Sequence, residues 1–296
     1  MIQLGNSSDS WGVWLPDDSK QMHWSRVLDE IAQLGYHYVE IAPYGFFPKD
    51  PAVLNEELAK RGLKAAAGSH FMDFEDDSAF EDDLKVVREM CEMTVKIGAK
   101  YVTLFDRLYT DLVTGEIRRP SKLSKDEWKA LIRNVNKVCK IISEDYGLIA
   151  AFHPHAGSHV ETEEQIERFF DETDPKYVKF CLDTGQHAFL GGDVIKCLRE
   201  HTDAICYLHI KNINPAVREK VLSSGVSYLE ATAMGIWPPI NDGVIDFLEL
   251  KAVLKEIGYD GFAIVEHDCY PVEYDKVLPF EKKAYDYLKS IEFGEF

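Results

Sequence analysis

The sequence predicts one (β/α)8 barrel, and three observations carry that expectation. Short apolar runs alternate with longer amphipathic segments along the whole chain, eight runs in all. The 296 residues match the size of such a barrel. No Pro/Gly/Ser-rich stretch marks a linker, so residues 1–296 are expected to form a single barrel domain.

The elements follow in order. Ile2 to Ser7 reads as the first strand, and Trp24 to Leu34 as a helix with Val27, Leu28, Ile31 and Leu34 at helical spacing and Gly35 as its stop. Val39-Glu40-Ile41 is the second strand. A helix over about Ala52 to Arg61 stops at Gly62, and the third strand is Lys64 to Gly68. Ser78 caps the next helix, with Glu81 in capping-box spacing, and Gly98 ends it before the strand Tyr101 to Phe105. Ser124 and Glu127 open a helix that runs to Tyr146 and stops at Gly147. The fifth strand, Ile149 to Phe152, leads to a helix over Thr162 to Asp171. Val178 to Asp183 and Ala204 to Lys211 are strands on either side of a helix over Asp193 to His201. Ile245 to Ile257, ended by Gly258, is followed by the eighth strand, Phe262 to Asp268. The loop from Asn212 to Val244 breaks the rhythm. Its apolar, proline-stiffened run Gly235 to Gly243 suits a lid, with Trp237 as a contact to substrate.

In such a barrel, chemistry sits at the C-terminal ends of the strands, where the loops converge. Those ends carry Glu40, His70, Asp106, His153 with His155, Asp183, His209 with Lys211, and Glu266 with His267 and Asp268. Alternation by two puts Ile149, Ala151, His153 and His155 on one face, and Pro154 suits the place where a strand stops. Several carboxylates and imidazoles buried together are costly unless they pair with one another or bind a cation. Asp183, His209 and Glu266, with His153 or His155 as the fourth, would supply mixed nitrogen and oxygen ligands to a divalent metal. With no thiolate, such a set suits Mn2+, Fe2+, Co2+ or Zn2+, and Mg2+ would prefer more oxygen. The alternative is a metal-free acid/base pocket.

Composition narrows the partners. A formal charge of −18 excludes a nucleic-acid or anionic-membrane surface, which would select clustered Lys and Arg, and favours a small uncharged substrate. No apolar run approaches a bilayer span, and the N-terminus lacks a basic segment followed by an apolar one, so the cytoplasm is the expected compartment. The six cysteines have no C-x-x-C spacing and read as free thiols; only Cys269 follows a strand end, where a nucleophile could sit.

Phe152-His153-Pro154-His155-Ala156-Gly157-Ser158, Leu182-Asp183-Thr184-Gly185, Gly191-Gly192-Asp193, His209-Ile210-Lys211-Asn212, the Pro-Pro-x-Asn-Asp-Gly-Val-Ile-Asp-Phe run ending at Phe247, and Glu40 to Pro48 form a recognisable set. Together they resemble the xylose isomerase-like barrels of the sugar phosphate isomerase/epimerase superfamily, and within it the inosose (2-keto-myo-inositol) dehydratase branch. The resemblance runs from about Ile2 to the last helix. It places Asp183, His209 and Glu266 on the family's metal-ligand positions, usually filled by Mn2+, Co2+ or a similar ion. His153 stands where the epimerases carry a ligand glutamate, and Gln186 where dehydratase-like relatives carry the histidine of Asp-Thr-Gly-His. Gln186 is thus an expected substrate contact, together with Glu40, His70, Asp106 and Trp237.

The chemistry this resemblance implies is proton removal beside a carbonyl, with a metal ion stabilising the enediolate. His155 is the expected base, Lys211 a donor to the leaving or enolate oxygen, and Glu266 serves both as ligand and in catalysis. Loss of a β-hydroxyl would make the enzyme a lyase acting on a keto-inositol or keto-sugar. A sugar isomerase or epimerase is the alternative, as is the large subunit of a 3-keto C-glycoside deglycosidase, which would need a small partner subunit. A homo-oligomer is the expected assembly.

Overall fold

The computed structural model describes residues 1–296, and its eight parallel strands close on themselves in sequence order. The strands are β1 (Gln3–Ser7), β2 (Tyr38–Ile41), β3 (Lys64–Met72), β4 (Tyr101–Asp106), β5 (Ile149–His153), β6 (Val178–Asp183), β7 (Ile205–Ile210) and β8 (Phe262–Val265). Pairing of Gln3 to Asn6 with Phe262 to Val265 seals the barrel. Around it run α1 (Trp24–Leu34), α2 (Pro51–Ala59), α3 (Asp77–Lys96), α4 (Lys125–Tyr146), α5 (Glu163–Glu172), α6 (Thr184–Phe189), α7 (Val194–Glu200), α8 (Pro215–Ser224), α9 (Tyr228–Ala233), α10 (Phe247–Glu256) and α11 (Tyr274–Ser290).

Local chemistry explains most boundaries. Ser124 and Glu127 form the expected reciprocal capping box on α4, and Thr162 with Gln165 does the same on α5. Gly35 and Gly147 end α1 and α4 with φ of 105° and 67°, a left-handed turn that a side chain would strain.

Three expectations need correction. Asp76, and not Ser78, caps α3: its carboxylate accepts from the Ser78 backbone and hydroxyl, and Glu81 is drawn to Lys137. The 212–244 segment is not a plain loop, because Asn214 with Pro215 starts α8, and a Ser227/Glu230 capping box starts α9. A short helix, α6, also follows β6 directly, with Asp183 as its cap.

The barrel interior is filled in layers. Tyr38, Tyr101, Tyr207 and Phe262 plug the lower end with ring centroids 4.9–5.8 Å apart. Ala66, Ala67, Ala151, Cys181 and Ile264 pack around them in one buried cluster. Above these the inward positions turn polar: Glu40, Thr103, His153, Asp183, His209 and Glu266 are all buried. A separate, larger apolar core lies between the sheet and the helices.

Candidate metal centre and proton-transfer site

His153, Asp183, His209 and Glu266 come from four consecutive strands or their ends, and one ligand atom of each lies within 4.8 Å of the others. Each is oriented from behind. Asp183 Oδ1 accepts the Gln186 backbone N–H at 2.8 Å, which leaves Oδ2 facing inward, 3.4 Å from His153 Nε2. His209 Nε2 donates to Glu40 Oε2 at 3.0 Å, and Glu40 Oε1 accepts from Thr103 Oγ1 at 3.1 Å. That fixes the ring so that Nδ1 faces Glu266 Oε2, 3.2 Å away. His153 Nδ1 and His209 Nδ1 are buried without a hydrogen bond. Two imidazoles, two carboxylates and two buried ring nitrogens without a hydrogen-bond partner fit a divalent ion.

Lys211 supplies the positive charge that this structure places among the carboxylates. Its Nζ lies 3.0 Å from Asp183 Oδ2, 2.9 Å from Glu266 Oε2 and 2.6 Å from Asp268 Oδ2, and 5.3 Å from the Trp237 ring centroid. Burial opposes the charge on Lys211, but the three carboxylates outweigh it and hold the ammonium well above the ordinary lysine range. Burial likewise opposes the charge on Glu266, and His209 with Lys211 outweighs it and holds the carboxyl well below its ordinary value.

His155 lies one alternation further out. Its Nδ1 donates to the Ala156 carbonyl at 2.7 Å, so Nε2 carries the lone pair and accepts from Gln186 Nε2 at 3.1 Å. Burial, then the neighbouring His153 and Lys211, push its pKa down to about 3. The ring is therefore neutral at any working pH. Gln186 Nε2 also reaches Asp268 Oδ2 at 3.0 Å and Tyr228 Oη at 2.6 Å. Beside this group, past Phe71, whose ring lies 6.2 Å from His155, opens a cavity of about 450 Å³ lined by Trp14, Tyr44, His70 and Arg107.

Four of the sequence-based candidates lie elsewhere or do something different. Tyr101, Thr103 and Phe105 face inward on β4, so Asp106 faces outward, where it accepts from the His159 backbone and ring at 2.9 Å each. Phe71 faces inward on β3, so His70 turns out toward Asp83 of α3, 3.6 Å away. Neither belongs to the inner group, but His70 lines the cavity beside it. Glu40 belongs to it, but behind His209, bonded to the ring and not open to a substrate. Cys269 Sγ donates to the Ser10 carbonyl at 3.2 Å, and burial pushes its thiol well up, which removes it as a nucleophile.

One participant was missed and another was named without a role. Asp268 stood among the strand-end residues, and it shares the inward parity of Ile264 and Glu266. Tyr228 had no such signal, because it comes from α9 within the irregular segment.

With this geometry established, comparison identifies the class. Residues 28–293 match the family described as xylose isomerase-like TIM barrel, and the chain belongs to that family. Its relatives include a protein named inosose dehydratase from Bacillus velezensis, 32% identical over 90% of this chain and 92% of that one. Another of that name, from Geobacillus thermodenitrificans, is 28% identical over 98% of this chain and 97% of its own. Among solved structures, the IOLI protein with a bound zinc atom superimposes with a TM-score of 0.71 at 19% identity, covering 98% of each chain, a likeness of fold. The protein is an enzyme of the dehydratase/isomerase type.

Proposed function

We propose that the protein is a divalent-metal-dependent dehydratase that eliminates water from a keto-inositol, with 2-keto-myo-inositol as the first substrate to test. The observation that carries this reading is the four-residue ligand group of His153, Asp183, His209 and Glu266 with a neutral imidazole, His155, and an ammonium, Lys211, at its rim. The names of the relatives supply the substrate class. The mixed nitrogen and oxygen donors without thiolate suit Mn2+, Fe2+, Co2+ or Zn2+, and the family resemblance makes Mn2+ or Co2+ the ion to try first.

An ion held by those four residues would supply the positive charge that acidifies the C–H bond beside the substrate carbonyl. His155 Nε2 takes that proton. Burial disfavours the imidazolium so formed, and the negative charge developing on the substrate beside it offsets this. The electron pair of the broken C–H bond becomes the new C=C bond as the β C–O bond breaks. Lys211 Nζ gives a proton to the departing hydroxyl, which leaves as water. Trp237 and Tyr228 cover the group and keep bulk water from the base.

The test is to strip the protein with chelator, reload it with Mn2+ and add 2-keto-myo-inositol. Enone absorbance should appear only in the loaded sample. Exchange of a substrate C–H with solvent deuterium and no loss of water would overturn elimination in favour of isomerisation.

A further inference from the structure

Asp268 stands outside the four-residue ligand group, yet three donors converge on one of its oxygens. Oδ2 is 2.6 Å from Lys211 Nζ, 3.0 Å from Gln186 Nε2 and 2.6 Å from Tyr228 Oη. Each donor arrives from a different part of the chain: the end of β7, α6 and α9. Two of them serve the reacting groups, since Lys211 is the proposed proton donor and Gln186 faces Nε2 of the base His155 at 3.1 Å. The third, Tyr228, belongs to the 212–244 segment that covers the mouth.

The hydrogen-bonding partners of the Lys211 ammonium are all carboxylates, and two of them, Asp183 and Glu266, belong to the ligand group. A cation bound there would compete with the ammonium for both. Asp268 is the partner that Lys211 keeps under that competition, and it sits on the outer side of the group, nearer the mouth. The Tyr228 hydroxyl is not needed to seat its own ring, which packs 4.9 Å from His155, 6.0 Å from Trp237 and 6.1 Å from Trp14. Its bond to a buried carboxylate is therefore surplus to packing, and ties the covering segment to the Lys211 and Gln186 side chains.

We propose that Asp268 is a positioning residue for the reaction, acting through Lys211 and Gln186, and that the Tyr228 hydroxyl is the tie by which the covering segment sets it. For its turnover readout this inference rests on the proposed dehydratase reading; the tie itself does not.

The experiment compares the full-length, Mn2+-loaded wild type with Asp268→Asn, Tyr228→Phe and the double variant. Asp268→Asn should keep its bound metal and lose kcat by about 100-fold with KM within about threefold. Tyr228→Phe should lose about tenfold in kcat, and the double variant should be no worse than Asp268→Asn, because the hydroxyl acts through that carboxylate. Amide hydrogen exchange of residues 228–237 should rise about tenfold in Tyr228→Phe, the opening expected from one lost charge-assisted hydrogen bond. Unchanged kcat in metal-loaded Asp268→Asn overturns the positioning role, and unchanged exchange in Tyr228→Phe overturns the tie. Should the wild type fail to dehydrate 2-keto-myo-inositol, the functional reading falls by itself, and the exchange measurement still decides the tie.

Discussion

Asp183 and Asp106 are both buried aspartates at the C-terminal end of a barrel strand, and each faces a histidine. On the inner side, Asp183 and His153 stand 3.4 Å apart, and His153 Nδ1 has no partner. On the outer side, His159 has both ring nitrogens engaged, with Asp106 at 2.9 Å and the Pro120 carbonyl at 3.1 Å. The outer pair pins the chain after β4 against the turn after β5. Arg119, held by Asp73 and Glu75, fastens the same stretch. Asp106 Oδ1 is likewise buried without a partner, but the outer pair has no imidazole nitrogen left for a cation, whereas the inner pair keeps one. Identical residue types at equivalent heights thus do different work, and the deciding variable is strand parity.

Substitutions can break this contrast, and the largest effect belongs at the centre of the inner group. His209→Ala removes a ligand whose second nitrogen is already oriented by Glu40, and should abolish metal binding and turnover together, measured as metal per chain and enone formation. His155→Ala comes next: turnover should fall by about 10²–10⁴-fold with metal content retained. Glu40→Gln weakens the orientation of His209 and should cost about 10–100-fold in metal affinity, read by titration of the stripped protein.

The outer pair should respond in stability alone. Burial opposes charge on His159, but its hydrogen bond to Asp106 and that residue's charge outweigh it, so its pKa is raised. The stabilisation is then complete below the ordinary histidine pKa of about 6.5 and is lost as pH rises through the raised value. His159→Gln should lower unfolding free energy by about 3 kcal/mol at pH 6 and by less at pH 9, with kcat unchanged. Denaturant melts at the two pH values check this. His70→Ala, on the outer face against Asp83, should have the smallest effect on stability, within about 1 kcal/mol by the same melts.

Much of this arrangement was legible in the chain. The alternation of runs, the Ser124/Glu127 cap and the glycine stops located the strands and most helices, because each is a local event that a few neighbouring residues determine. His153, Asp183, His209 and Glu266 were legible as strand ends of one register, and the structure gathers them. His70 and Asp106 entered the expected site because strand ends were read without parity. On β4 the inward Tyr101, Thr103 and Phe105 already assign Asp106 outward. The helix α8 lay hidden because it buries only Val221 and so shows no apolar stripe, and α9 because it is short; caps alone announce them. Tyr228 could not be read at all: its role depends on how an irregular segment folds back over the mouth, a contact 40 residues from Asp268 in sequence.

The inward-facing His153, Asp183, His209 and Glu266 are proposed to hold a single divalent ion. The most direct measurement is metal stoichiometry after Mn2+ loading and removal of free ion, on the wild type, His209→Ala and Asp106→Asn in parallel. The expected result is one ion per chain in the wild type and Asp106→Asn, and none in His209→Ala. A wild type that retains no ion, or a His209→Ala chain that retains a full one, would contradict it.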